Sequence, residues 1–237
     1  MNIAIIGYGR MGEQIEKVAK ERKHKIVAYI DNEQDWKKQE NKLKEADVAI
    51  EFSIPSTVLL NIEKCFARNL PVIVGTTGWY DKLEDVKTQC VEKNQSLLYA
   101  PNFSLGVNLF FALNRTLAKI MNGHSEYDVS IEEIHHKAKK DSPSGTAIML
   151  ADDIVKYLSH KECWINDTNN KTEELSIKSA RIDNTIGTHS VIYSSDLDKI
   201  EITHTSHSRK SFAIGAVRAA EWLAGRKGVF SIGDMLN

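Results

Sequence analysis

The sequence predicts an α/β chain in two parts: a doubly wound parallel sheet, and a second α+β domain with an open mixed sheet. Three observations predict it. Short apolar runs alternate with helical patterns across residues 2–103, the rhythm of a parallel sheet. A glycine motif joins the first run to the first helix. Beyond residue 126 the apolar runs alternate with polar residues at period two, as in a sheet with one covered face.

Bulk properties narrow the function. The chain has 237 residues, 42% of them hydrophobic and 27% charged, with a net charge of −1. That is a globular balance with no basic excess, so nucleic acid and membrane surfaces are not expected partners. The longest apolar runs, such as "DVAIEFSIP" and "PVIVG", are too short to span a bilayer. The start "MNIAIIGYG" has no basic region or small-residue cleavage site, so no signal peptide is expected. Cys65, Cys90 and Cys163 are odd in number and widely spaced. Buried free thiols in a reducing cytoplasm are the simplest reading, with neither a disulfide framework nor a metal.

Residues 2–7, "NIAIIG", form a β-branched run that reads as a buried parallel strand. "GYGRMG" follows, placing Gly7, Gly9 and Gly12 in G-x-G-x-x-G spacing with Tyr8, Arg10 and Met11 between them. "EQIEKVAKERK" then sets Ile15, Val18 and Ala19 at helical spacing, and "KIVAYID" reads as a second strand. Strand, glycine turn, helix and strand together make the Rossmann-type fingerprint of a dinucleotide site. Gly7 permits the turn, Gly9 lets backbone approach a pyrophosphate, and Gly12 lets the helix pack close. Asp31 lies 24 residues past Gly7, where a carboxylate accepts from a ribose 2′-OH and repels a 2′-phosphate. Asn32 rather than arginine follows it, so NADH is favoured, with NADPH possible. The competing reading is a glycine-rich turn with no cofactor.

Three further strand ends carry small or hydroxyl residues: Phe52–Ser53, then Gly75, Thr76 and Thr77, then Ala100, Pro101, Asn102 and Phe103. Singly each is ordinary turn chemistry. As a set beyond one sheet edge they suggest a site.

The boundary falls near residue 103, leaving 104–208 as the second domain and 209–237 as a return to the first. "SLGVNLFFALNRTLAKIM" predicts a long helix burying Leu109, Leu113, Leu117 and Ile120. "EYDVSIEEIHH" reads as a strand ending near the histidine pair. "GTAIMLADDIVKYL" predicts a helix with Ile148, Ala151, Val155 and Leu158 on its face and Ser144 as its N-cap. "LSIKSARI", "THSVIYSSD" and "KIEITHTSHS" follow as strands. "SFAIGAVRAAEWLAG" is a last helix, with Phe212, Ala216, Ala219 and Leu223 on one face.

The chemistry concentrates in "EEIHHKAKKDSPSGTA". His135 and His136 end a strand, Lys139 lies in a basic loop, and Ser144, Gly145 and Thr146 open a helix whose free N–H groups suit a carboxylate. A histidine titrating near neutrality is a natural general acid. A shared metal fits poorly, because adjacent strand residues face opposite ways, and Glu132 and Glu133 are split likewise. A solvated basic loop remains the bland alternative.

This stretch resembles the signature of dihydrodipicolinate reductase. "GYGRMG", "EFSIPS", "VGTTGW", "APNFSLGVN" and "KIEITHTSHSRKSFAIGAVRAAEWL" resemble its other blocks, in family order, across nearly the whole chain. The resemblance implies NAD(P)H-dependent reduction of a cyclic imine dicarboxylate in lysine and diaminopimelate biosynthesis. It implies His135 as general acid, Lys139 as second catalytic residue, and His136, Ser144, Gly145, Thr146 and Thr77 as substrate contacts. It places the cofactor at Gly7 to Gly12, Asp31, Gly75 to Thr77 and Ala100 to Phe103. It also sets Arg209 and Phe212 in the return segment, implies a homotetramer through the second sheet, and implies domain closure on substrate. Against this stand two other readings: a Rossmann dehydrogenase acting on another amino or keto acid, and a cofactor-sensing module without chemistry.

Overall fold

The computed structural model describes residues 1–137, 139–167, 171–183, 185–208 and 210–236; Arg209 lies outside them. The chain divides into two compact units, Met1–Leu105 with Lys210–Asn237, and Gly106–Arg209. The elements begin with β1 (Asn2–Ile6), α1 (Arg10–Glu21), β2 (Lys25–Ile30), α2 (Glu33–Lys38), α3 (Glu40–Leu43) and β3 (Val48–Glu51). Then come α4 (Val58–Phe66), β4 (Val72–Val74), α5 (Leu83–Glu92), β5 (Ser96–Tyr99), α6 (Leu105–Met121), β6 (Asp128–His135) and α7 (Gly145–Tyr157). The chain closes with β7 (Cys163–Ile165), β8 (Glu174–Arg181), β9 (Gly187–Ser194), β10 (Lys199–Ser206), α8 (Lys210–Leu223), β11 (Gly228–Ser231) and α9 (Ile232–Leu236).

In the first unit six parallel strands run in the order β11-β5-β4-β3-β1-β2. Alternation along β1 feeds two cores. Ile3 and Ile5 face Ile15 and Val18 of α1 and Ala216 and Val217 of α8. Ala4 and Ile6 face the opposite layer, with Trp36, Val58, Ile62 and Val86. The strand order reverses between β1 and β3. Helices on opposite faces diverge at such a point and leave a crevice beyond the carboxyl ends of the strands.

In the second unit β10-β9-β6-β8-β7 form a mixed sheet. β6 is antiparallel to β9 and parallel to β8. One face packs Val129, Ile131, Ile177 and Val191 against Phe110, Phe111, Leu150 and Ile154 from α6 and α7. A buried Lys161 ties the sheet's start together, donating to Asp128 Oδ1 at 2.6 Å and to the carbonyls of Thr172 and Glu174.

The α6 face differs from the sequence expectation. Leu109, Leu113 and Ile120 are exposed, while Val107, Phe110, Phe111, Ala118 and Met121 are buried. Both faces of this helix are apolar, and the aromatic one buries more area, so it wins the core. In α7 Ala151 and Leu158 are buried as expected, while Ala147, Leu150 and Ile154 take the core in place of Ile148 and Val155. Helices α2, α3 and α5 and the short β7 went unread, since their charged segments carry little periodic apolar signal. Among the described residues no helix is long and apolar enough to cross a membrane.

Candidate active site

The glycine turn lies at the switch point. Gly7 has φ +86°, and a Cβ there would fall 2.3 Å from the Phe52 carbonyl oxygen, so only glycine fits. A Cβ at Gly9 would meet nothing within 4 Å, which leaves room for a ligand against the backbone. Gly9 caps α1 without a side-chain hydrogen bond, so the first N–H groups of that helix stay available to a phosphate. Tyr8 N donates to Asp31 Oδ1 at 2.9 Å, joining the glycine turn to the end of β2.

Two cavities open along these strand ends. One of about 380 Å³ is lined by Gly7, Gly9, Asp31, Asn32, Glu33, Trp36, Ser53 and Asn61. The other, about 230 Å³, is lined by Met11, Phe52, Ser53, Gly75, Thr76 and Thr77. Both lie at the carboxyl ends of the parallel strands, where open α/β sheets bind their ligands. Arg10, Gly12 and Ala100 to Phe103 line neither cavity. Ala100 and Phe103 are core residues, Phe103 packing on Phe52 with centroids 5.7 Å apart. Asn102 Oδ1 accepts from Ser104 N. The Tyr8 hydroxyl is spent on Glu16, whose carboxyl is held down to about 2 by hydrogen bonds from Lys20, Tyr29 and Tyr8.

Sequence reasoning missed Glu33, Trp36 and Asn61 in the first cavity. It also missed Glu51, fully buried at the end of β3, which accepts from Ser53 and from Asn61 Nδ2. Burial pushes its pKa up. Ser53 N in turn donates to Thr76 Oγ1 at 2.8 Å, so this buried group braces both strand-end turns.

In the second unit the register builds the other cluster. On β6, Glu133 and His135 share the inward face, while His136 follows the strand's end and is half-buried. Glu133 stands opposite His189 on β9 and Ser179 on β8, and His135 stands opposite Arg181. Glu133 Oε1 accepts from Ser179 Oγ at 2.8 Å and lies 3.3 Å from Arg181 Nη2. Ser144 N donates to the same carboxylate at 3.1 Å. Burial alone would raise the Glu133 pKa, but the adjacent His189 ring, hydrogen bonds from Ser144 and Ser179, and the nearby His135 hold it well below the usual carboxylate range. Burial pushes His135 down to about 4, helped by the nearby His189 charge and opposed by Glu133.

Ser144 is the N-cap of α7, its Oγ accepting from Ala147 N at 3.2 Å and sharing a 3.0 Å hydrogen bond with His189 Nε2. Its side chain is therefore occupied, whereas Gly145 and Thr146 open the helix with exposed and half-buried positions. Lys139 donates to both oxygens of Asp141, at 2.9 and 2.7 Å. Donor atoms of Glu133, His135 and His189 lie within 4.8 Å of one another, a spacing compatible with a metal. After burial itself, His189, Lys139 and Arg181 disfavour protonation of His135 and Glu133 favours it. The signal for Glu133 was its place two residues before His135; for His189, on another strand, there was none.

A dinucleotide crevice at the switch point of a parallel sheet, joined in one chain to a histidine-bearing mixed-sheet unit, defines an NAD(P)H-dependent oxidoreductase. The model for the dihydrodipicolinate reductase N-terminus matches residues 1–103, and that for its C-terminus matches residues 106–236. A 4-hydroxy-tetrahydrodipicolinate reductase of Christiangramia forsetii is 48% identical over 237 residues, 100% of this chain and 98% of that protein. One from Methanosarcina acetivorans is 38% identical over 196 residues, 81% of this chain and 73% of that protein. The chain belongs to the dihydrodipicolinate reductase family. The dipicolinate-bound dihydrodipicolinate reductase from a Paenisporosarcina species shares its fold, with a TM-score of 0.76 at 22% identity, covering 98% of this chain and 97% of that one.

Proposed function

We propose that the chain reduces 4-hydroxy-tetrahydrodipicolinate, or the dihydrodipicolinate formed from it by loss of water, to tetrahydrodipicolinate in lysine and diaminopimelate biosynthesis. The observation that carries this reading is the packing of His135 with Glu133, beside the N-terminus of α7. Bound NADH supplies the hydride. The resulting enamine takes its proton from His135: the imidazolium N–H bond breaks, a ring C–H bond forms, and neutral imidazole remains. Free His135 is neutral near pH 7, and the charge of a bound dicarboxylate favours its protonated form. The N–H groups of Gly145 and Thr146, with the Thr146 hydroxyl, hold one carboxylate, because the Ser144 side chain is already committed. Lys139 exchanges Asp141 for the substrate's negative charge. His136, beside His135 at the end of β6, adds a further substrate contact.

The cofactor binds along Gly7 to Gly12 and Gly75 to Thr77, with its adenosine ribose on Asp31. Glu33 lines the same cavity but is ion-paired with Lys64, so Asp31 is what supports NADH over NADPH. A homotetramer would assemble through the outer face of the second sheet, where Glu132, Lys178, Glu201 and Thr203 are exposed. A biosynthetic role and the free thiols support a cytoplasmic location. The test is a coupled assay with enzymatically generated substrate, run with NADH and NADPH in parallel. Turnover, faster with NADH, is expected; no oxidation of either cofactor refutes the activity. Light scattering that returns a monomer refutes the tetramer.

A further inference from the structure

The hydrogen bonding around Glu133 is asymmetric between its two oxygens. Oε1 is held by Ser179 and Arg181, and Ser144 N reaches both oxygens. Oε2 lies 3.5 Å from His135 Nδ1 and 3.6 Å from His189 Nε2. Neither distance is a hydrogen bond, yet each is a short adjustment from one, as catalytic contacts often are before substrate binds. His135 Nδ1 is buried and has no other partner among the described residues. The opposite edge of the ring, with Nε2, lies beside Gly187, which has no side chain to cover it.

We propose that Glu133 is the positioning residue for His135, holding the ring through Nδ1 so that Nε2 meets the substrate, and that His189 competes for the same carboxylate oxygen. This rests on the reading of His135 as proton donor. The charged groups facing His135 are Glu133 on its own strand, His189 from β9, Arg181 from the end of β8, and Lys139, itself bound to Asp141, from the loop after β6. Among these described groups Glu133 favours the imidazolium and the other three oppose it. Loss of the Glu133 charge and loss of the His189 ring therefore act on His135 with opposite signs.

The experiment measures kcat against pH for the full-length protein with NADH, beside an NMR titration of the His135 ring, in wild type, Glu133→Gln and His189→Asn. Glu133→Gln is expected to lower kcat at least about tenfold, with the NADH KM nearly unchanged. It should also move the limb on which His135 loses its proton to lower pH, and His189→Asn should move that limb to higher pH. Wild-type kcat in Glu133→Gln, or shifts of the same sign, overturn the proposal. If Glu133→Gln does not fold, shown by lost NADH binding, His189→Asn decides: an upward limb supports the proposal, and an unmoved or downward one overturns it. Wild-type turnover in His135→Ala refutes the proton-donor reading itself. Loss there with an unaffected Glu133→Gln refutes the positioning role alone.

Discussion

Gly187 offers a test that separates placement of His135 from stability. It begins β9, one residue beyond the Thr188–Ile134 pair, and so lies alongside His135. A Cβ there would lie 3.0 Å from His135 Nε2 and 3.2 Å from Cδ2. Comfortable contact begins at about 3.4 Å, so Gly187→Ala displaces the ring's outer edge by about 0.4 Å. The His189 ring, 4.9 Å away between centroids, stands beside it, and the 3.5 Å gap to Glu133 Oε2 leaves only inward room for the shift. The backbone at 187 has no positive φ, so alanine adopts it without strain. Gly to Ala at such a position stabilises by about 0.4–1 kcal/mol through the unfolded chain, roughly offsetting the tight contact. Misplacing a reacting group by about 1 Å costs on the order of 10²-fold, so a shift of roughly half that should cost about tenfold.

The assay is NADH oxidation with freshly generated substrate, beside a thermal melt and an NADH binding isotherm. The expected result is a roughly tenfold lower kcat with melting temperature and NADH affinity close to wild type. Wild-type kcat at wild-type stability would refute the claim that ring placement limits turnover. A fall in NADH affinity would show that the substitution acts elsewhere.

The remaining expectations concern single groups of the proposed site. His135→Ala should lower kcat by about 10²–10⁴-fold while the fold and NADH binding persist, checked by single-turnover kinetics and binding. Asp31→Ala should weaken NADH more than NADPH, because it removes both a ribose acceptor and the repulsion of a 2′-phosphate; equal changes in the two binding constants count against the ribose assignment. Lys139→Ala should raise the substrate KM and lower kcat together, and an unchanged KM would show that the lysine does not hold a carboxylate.

What the sequence made legible follows from how local each signal is. The glycine turn, its strand, its helix and Asp31 lie within one βαβ unit, and the spacing of these residues carries the geometry almost entirely. Ala100 and Phe103 look equivalent to Thr76 and Thr77 at a strand end, but whether such residues face a cavity or the core depends on a layer contributed by α8, far along the chain. The α6 stripe failed for a related reason: a helix apolar on both sides does not reveal which face the sheet takes.

The histidine cluster shows the same limit most sharply. Strand alternation separates His135 from His136 and, applied one step further, puts Glu133 beside His135 from the letters alone. The remaining partners enter only through register. A one-residue slip of β9 against β6 would place Thr188 or Ser190 opposite Glu133 and send the His189 side chain to the other face of the sheet. Nothing in the order of residues encodes that pairing except the apolar alternation of both strands, Val129 and Ile131 packing in the same layer as Val191 and Tyr193. The core of the second unit therefore sets the proton chemistry: burying those apolar side chains selects the register, and the register brings His189, Ser179 and Arg181 to Glu133.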